Sequence, residues 1–123
     1  MYLYRIISDN EWRQSKKEGK VPRCNSDRRA GHVHLNKFED IITVANKYFE
    51  PAEKPVVLEI EMSSGLDEKL IWEQPTDEKN WEQANLQIEN INMKDVKRFS
   101  YLGLKGNCEF EISQFSDFTN YDM

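Results

Sequence analysis

Gly31-His32-Val33-His34-Leu35-Asn36 is followed by apolar residues at helical spacing and then by Pro55-Val56-Val57-Leu58-Glu59-Ile60. Successive side chains of a strand alternate faces, so His32 and His34 share one face while Val33 and Leu35 take the other. Asn36 suits a helix N-cap, and after it Phe38, Ile41, Ile42, Ala45, Tyr48 and Phe49 recur as one apolar stripe. Pro51 cannot continue that helix. A strand, a capped helix and a second strand are therefore expected in order. Both histidines of the chain stand on the polar face of the first strand, which locates the candidate site.

Working outward, Tyr2 to Ile7 reads as a strand. Ser8 or Asp9 caps a helix from Asn10 to Glu18, with Trp12 as its apolar anchor and Gly19 at its end. Residues 20–30 read as a polar loop punctuated by Pro22 and Asn25-Ser26-Asp27. Val56 to Met62 is the clearest strand, with Val56, Leu58, Ile60 and Met62 on one face and Val57, Glu59 and Glu61 on the other. Ser63-Ser64-Gly65 is a turn, Leu70 to Glu73 a short strand, and 74–80 a loop. Leu86, Ile88 and Ile91 mark another strand. Val96 to Leu104 and Cys108 to Ile112 mark two more, with Gly103 and Gly106 bracketing a hairpin turn. Two early helices and many short strands predict an α+β fold with a mixed, split or bent sheet. One domain is expected over 1–112. Residues 113–123 read as an acidic C-terminal tail, frayed or laid on the surface.

At 123 residues, with 38% hydrophobic and 11% aromatic content, the chain can bury one core. No apolar run is long enough to span a bilayer and no signal-peptide layout opens the chain, so a cytoplasmic protein with no membrane partner is expected. Two cysteines, Cys24 and Cys108, are too few for a disulfide scaffold. The net charge of −5 argues against nonspecific nucleic-acid binding. The charge is uneven, however. Arg13, Lys16, Lys17, Lys20, Arg23, Arg28 and Arg29 crowd one stretch, whereas acids dominate from Glu50 to Glu89. The basic stretch either guides a phosphate-bearing ligand or is a solvated surface.

His32-Val33-His34-Leu35-Asn36, the helix containing Ala45, and Pro55-Val56-Val57-Leu58 together resemble the core of the RNA 2′-phosphotransferases, which share the ADP-ribosyltransferase fold. The whole chain resembles more closely a small bacterial family of unknown function assigned to that same fold. That likeness runs through Tyr4-Arg5-Ile6, Trp12, Gly19, Ser26-Asp27, Gly31 to Leu35, Val57-Leu58, Trp72-Glu73 and Val96. It implies an ADP-ribosyltransferase-like split, mostly antiparallel β core with two packed helices. His34 is the counterpart of the shared histidine, while His32 stands where relatives carry an aromatic residue. Two departures are visible: Tyr4-Arg5-Ile6-Ile7 lacks the phosphotransferases' strand histidine, and 80–85 lacks the histidine and tyrosine usual in the small family.

The resemblance implies a nucleotide-recognising domain that binds or acts on NAD, ADP-ribose or a 2′-phosphorylated nucleotide, with NAD as the implied cofactor. His34 would orient a ribose, since a neutral imidazole offers one donor and one acceptor to a diol. Taken from spacing alone, His34 is a strand histidine bonding a backbone carbonyl; His32 shares its face but not the family's identity, so the resemblance makes it a flanking residue. Arg5 would pair with phosphate, or else lay its stem over Tyr2 or Tyr4. Arg29 would add a phosphate contact, and Asn36 a second role facing the cleft. Glu73 is the candidate catalytic carboxylate beside His34, because a strand glutamate stabilises the ribosyl cation in many ADP-ribosyltransferases. His32-x-His34 with Asp27 or Cys24 offers metal ligands, but no second histidine pair or Cys-x-x-Cys completes a shell, so no metal is expected. The alternative to a nucleotide site is a catalytically silent module that recognises a protein partner on the same scaffold.

Overall fold

In the computed structural model, which describes residues 1–106 and 109–118, the chain runs β1 (Tyr2–Ile7), α1 (Asp9–Glu18), β2 (Lys20–Pro22), α2 (Asn25–Ala30) and β3 (Val33–Leu35). It continues through α3 (Ile41–Tyr48), β4 (Val56–Glu61), α4 (Ser64–Asp67), β5 (Leu70–Glu73), β6 (Gln83–Leu86), β7 (Asn90–Asn92), β8 (Val96–Lys105), β9 (Glu109–Ile112) and β10 (Ser116–Asp117). Cys108, assigned from sequence to a late strand, lies outside the described residues. The fold is α+β, and every strand pairing among the described residues is antiparallel.

β4 is the axis. It pairs with β1 on one side and β8 on the other, and its alternation feeds two cores. Val56, Leu58 and Ile60 pack with Leu3, Ile7 and Trp12, whereas Val57 packs with Tyr4, Ile6, Ile41 and Ala45 on the opposite face. Glu59 shares the second face and is buried. Its carboxylate accepts from Arg98 Nε (2.8 Å) and Nη2 (2.7 Å) and from the Tyr4 hydroxyl (3.0 Å). Tyr4, Glu59 and Arg98 are in register across the three strands, which is why one buried charge is fully answered. The Arg98 contacts hold the Glu59 carboxyl below its ordinary value.

A second sheet, ordered β3-β6-β5, joins the first at a single bridge, where Tyr4 and Asn36 exchange backbone hydrogen bonds of 2.8 and 2.7 Å. Beyond the bridge β1 and β3 part, and the opening between them is the split. One face of this sheet sends Val33, Leu35, Ala84, Leu86, Leu70 and Trp72 into the first core. The other carries His34, Asn85 and Gln83.

α1 begins and ends as its sequence dictates. The Ser8 hydroxyl accepts from Glu11 N at 3.2 Å, the Glu11 carboxylate accepts from Ser8 N at 3.1 Å, and Gly19 closes the helix at φ 76°. Ser8→Ala is expected to cost about 0.5–2 kcal/mol, read as a lowered urea midpoint at unchanged slope.

Five sequence expectations are corrected. Within the stretch read as a polar loop, Lys20–Pro22 pairs with β7 and Asn25–Ala30 is helical, so more than two helices pack on the sheets. Asn36 is not an N-cap: its backbone N–H and C=O are engaged by Tyr4, and the chain turns through Phe38–Asp40 before α3 starts at Ile41. The buried face of α3 is Ile41, Val44 and Ala45, while Phe38 and Tyr48 are half exposed. Gly103 lies inside β8 opposite Glu111, leaving Gly106 (φ 73°) alone to supply the turn conformation. Of the stretch read as a surface tail, Ser116–Asp117 pairs with β8 and Phe118 is buried against Trp12, with ring centroids 5.5 Å apart. The remaining tail, 119–123, lies outside the described residues. No helix among the described residues is long and apolar enough to cross a membrane.

Candidate functional site

The site is built at the split, around Asp27. This side chain is fully buried, and its carboxylate accepts from Arg5 Nη2 (2.5 Å), Arg5 Nη1 (3.4 Å), Cys24 N (3.1 Å) and His34 N (3.2 Å). His34 Nδ1 stands 2.7 Å from Asp27 Oδ1. Asp27 is the third residue of α2, so its side chain turns back onto the backbone N–H that opens the helix. Its carbonyl accepts from Gly31 N (2.8 Å) and His32 N (3.3 Å), which sets the approach to β3. Gly31 makes that approach at φ 83°, a conformation that a Cβ disfavours. Burial by itself would raise the Asp27 carboxyl; the His34 hydrogen bond and the Arg5 charge outweigh it and hold the group far below the ordinary carboxylate range.

Arg5 also donates from Nη1 to the His34 carbonyl (2.9 Å), so one guanidinium spans the opening between β1 and β3. On the polar face, His32 Nε2 and His34 Nε2 meet at 3.1 Å with the rings nearly perpendicular. Across β6 and β5 a side-chain ladder continues. Lys79 Nζ donates to Gln83 (3.2 Å), Gln83 Nε2 to Asn85 (2.8 Å), and Asn85 Nδ2 to Glu73 (3.1 Å).

Two cavities adjoin at this face and share His34, Lys79 and Gln83. The first, about 260 Å³, is lined by Tyr48, Phe49 and Trp81 together with Arg5 and Asn36. The second, about 330 Å³, is polar and includes Arg29, His32 and Glu73. Two buried side-chain N–H groups find no acceptor among the described residues, Arg5 Nε and Trp81 Nε1, and both residues line the first cavity. A buried donor without an acceptor is costly, and both of these are open to an acceptor entering the first cavity.

The family model of DUF952, a protein of unknown function, matches residues 6–97, which include every site residue just described except Arg5. The chain belongs to the DUF952 family. Two solved structures of protein CC0527 from Caulobacter crescentus share the fold. The crystal structure is 25% identical with a TM-score of 0.76 and covers 90% of this chain and 94% of that one. The solution structure is 26% identical with a TM-score of 0.72 and covers 88% and 90%. No curated protein matches the chain.

Within this DUF952 domain the expected residues are placed as follows. His34 lines both cavities, and its ring is tied to Asp27 and His32. The spacing-based picture of a ring bonding a backbone carbonyl does not hold; the carbonyl's donor is Arg5, and the ring's partner is a carboxylate. Arg5 is buried and engaged, so the expectation of a guanidinium free to grip a phosphate is corrected: only Nε is left over. Asn36 lines the first cavity. Arg29 and Glu73 are exposed and line the second, Glu73 fixed through one oxygen by Asn85. Sequence reasoning weighed Asp27 only as a metal ligand and passed over Lys79, Gln83, Asn85 and Trp81 as site residues. Asp27 had a signal: an acid at the third position of a six-residue helix closed by Gly31. The polar residues of β6 had none, because they become neighbours of His34 and Glu73 only through strand register. No cluster of three or more histidine, cysteine, aspartate or glutamate side chains among the described residues is arranged to hold a metal ion.

Proposed function

We propose that this DUF952 domain recognises a nucleotide and is related to the ADP-ribosyltransferase superfamily, its ligand being NAD, ADP-ribose or a 2′-phosphorylated nucleotide. The observation that carries the reading is the two-chambered cavity floored by His34. Each chamber alone is at the lower end of ligand pockets, ~300–1,000 Å³. Joined, they suit a ligand with a flat heterocycle at one end and a sugar phosphate at the other. The aromatic chamber takes the heterocycle, whose carbonyl or ring nitrogens answer the idle N–H groups of Arg5 and Trp81. The polar chamber takes the ribose and phosphate, with Arg29 and Lys79 supplying the positive charge and Glu73 an anion for a developing ribosyl cation. The split antiparallel sheet is consistent with the superfamily. The rival, a silent protein-recognition module, draws on Arg5, whose charge is already spent on Asp27.

Titration with ADP-ribose, NAD and a 2′-phosphorylated dinucleotide, followed by amide and indole ¹H–¹⁵N shifts, tests the reading. Shifts are expected at the Trp81 indole, Arg5, Arg29 and Lys79. Trp81→Phe, which deletes one idle donor while keeping a ring, is expected to weaken binding by roughly threefold to tenfold. The absence of any shift around the two chambers at millimolar ligand would leave the protein-recognition module as the better reading.

A further inference from the structure

We propose that His32 is the proton acceptor of this site: its Nδ1 takes the proton of a ligand hydroxyl, with His34 and Asp27 as the positioning residues behind it. For the identity of its ligand this rests on the nucleotide reading; for the acceptor it rests on ring geometry alone. The proton positions follow from Asp27. An ionised carboxylate accepts and never donates, so the 2.7 Å contact between Asp27 Oδ1 and His34 Nδ1 requires that nitrogen to carry the proton. With no second proton on the ring, His34 Nε2 is bare. That atom lies 3.1 Å from His32 Nε2, and two bare nitrogens do not hold each other at this distance, so His32 Nε2 carries a proton and donates it. His32 Nδ1 is then left bare on its own ring. The side-chain hydrogen bond of His32 among the described residues runs through Nε2, and the ring lines the polar cavity beside Arg29, Glu73 and Lys79.

The transfer balances without any other reagent. As the ligand O–H bond breaks, its electron pair stays on oxygen and the proton bonds to His32 Nδ1. The proton on His32 Nε2 then moves to His34 Nε2. The positive charge comes to rest on His34, directly against the ionised Asp27, and the new oxyanion faces Arg29 and Lys79. The groups around His32 are mixed. Asp27 of α2 and Glu73 of β5 favour a charged ring, whereas burial, His34 and Arg23 oppose it. Burial prevails and pulls His32 below the ordinary imidazole value, so the ring is able to accept at neutral pH.

Long-range ¹H–¹⁵N spectra of the full chain at pH 8 test this directly. The expected tautomers are His34 protonated on Nδ1 and His32 protonated on Nε2. ADP-ribose is expected to move the His32 Nδ1 resonance. His34→Phe should release His32 into a mixture of tautomers and raise the pH at which it titrates. If that variant fails to fold, His32→Phe serves instead: His34 keeps its Nδ1 proton, and ADP-ribose binding weakens by roughly threefold to tenfold. His34 protonated on Nε2, or His32 protonated on Nδ1 at pH 8, overturns the proposal, as does ADP-ribose binding that leaves His32 Nδ1 unmoved. Tautomers as assigned with no response to any nucleotide would uphold the acceptor and sink the nucleotide reading.

Discussion

Asp27→Ala is expected to destabilise the domain by about 3–5 kcal/mol, because it strands the buried Arg5 guanidinium without its counter-ion. The His34 and Cys24 N–H groups lose their acceptor in the same step. Against a typical total of about 5–15 kcal/mol, such a loss leaves a marginal fold, visible as a large fall in the urea midpoint. Replacing both partners together, Arg5→Met with Asp27→Leu, should recover much of the stability, since no charge is left buried. It should not recover the site, because His34 loses the group that fixes its tautomer. A double variant as unstable as Asp27→Ala would show that the cost lies in helix capping rather than in the stranded charge.

The same pair sets an acid sensitivity. The folded-state pKa of Asp27 is depressed, so its contribution to stability is complete above the unfolded carboxylate value near ~3.9. It is lost progressively as pH falls below that value toward the depressed one. Unfolding free energies measured from pH 6 downward should decline less steeply in the Arg5→Met, Asp27→Leu variant than in the parent.

Trp12→Ala carries the second large effect, about 3–5 kcal/mol. Its ring is 1% exposed and sits between Phe99 of β8 and Phe118 at the chain's described end, with centroids 5.4 and 5.5 Å away. It is the apolar anchor by which the otherwise polar α1 is held on the sheet. Calorimetric or urea-induced unfolding measures the loss. A double-mutant cycle with Phe118→Ala should show a coupling of about 0.5–1.5 kcal/mol, as expected of neighbouring rings. Zero coupling would mean that Phe118 only covers the core edge and does not help to seat the helix.

Legibility followed the range of the forces involved. α1 was readable because its cap, its anchor and its terminal glycine lie within one short window, and each acts on backbone groups at most four residues away. β4 was readable because period-two alternation survives wherever the strand is placed, and its two faces do enter two cores. β3 was readable for the same reason, down to the shared face of His32 and His34. α2 was missed because a six-residue helix rich in polar residues shows no apolar stripe. Its stabilisation comes instead from a buried carboxylate facing a strand 22 positions away in sequence.

The amino-acid sequence by itself determined the α+β class, the central strand, the main helices and the position of the histidine strand, because local periodicity and capping specify those. Tertiary structure alone decided what the polar residues do. Arg5 could have faced a phosphate as far as its own strand was concerned; the parting of β1 from β3 placed Asp27 against it instead. Asn36 had the chemistry of a cap, but a bridge to Tyr4 engaged its backbone N–H and C=O. Glu59 was placed by alternation on the second face of its strand, but its partners came only when β1 and β8 brought Tyr4 and Arg98 to it. A charged or hydrogen-bonding side chain takes its role from the partner it meets. That partner is set by register and packing between distant segments, which no local pattern encodes.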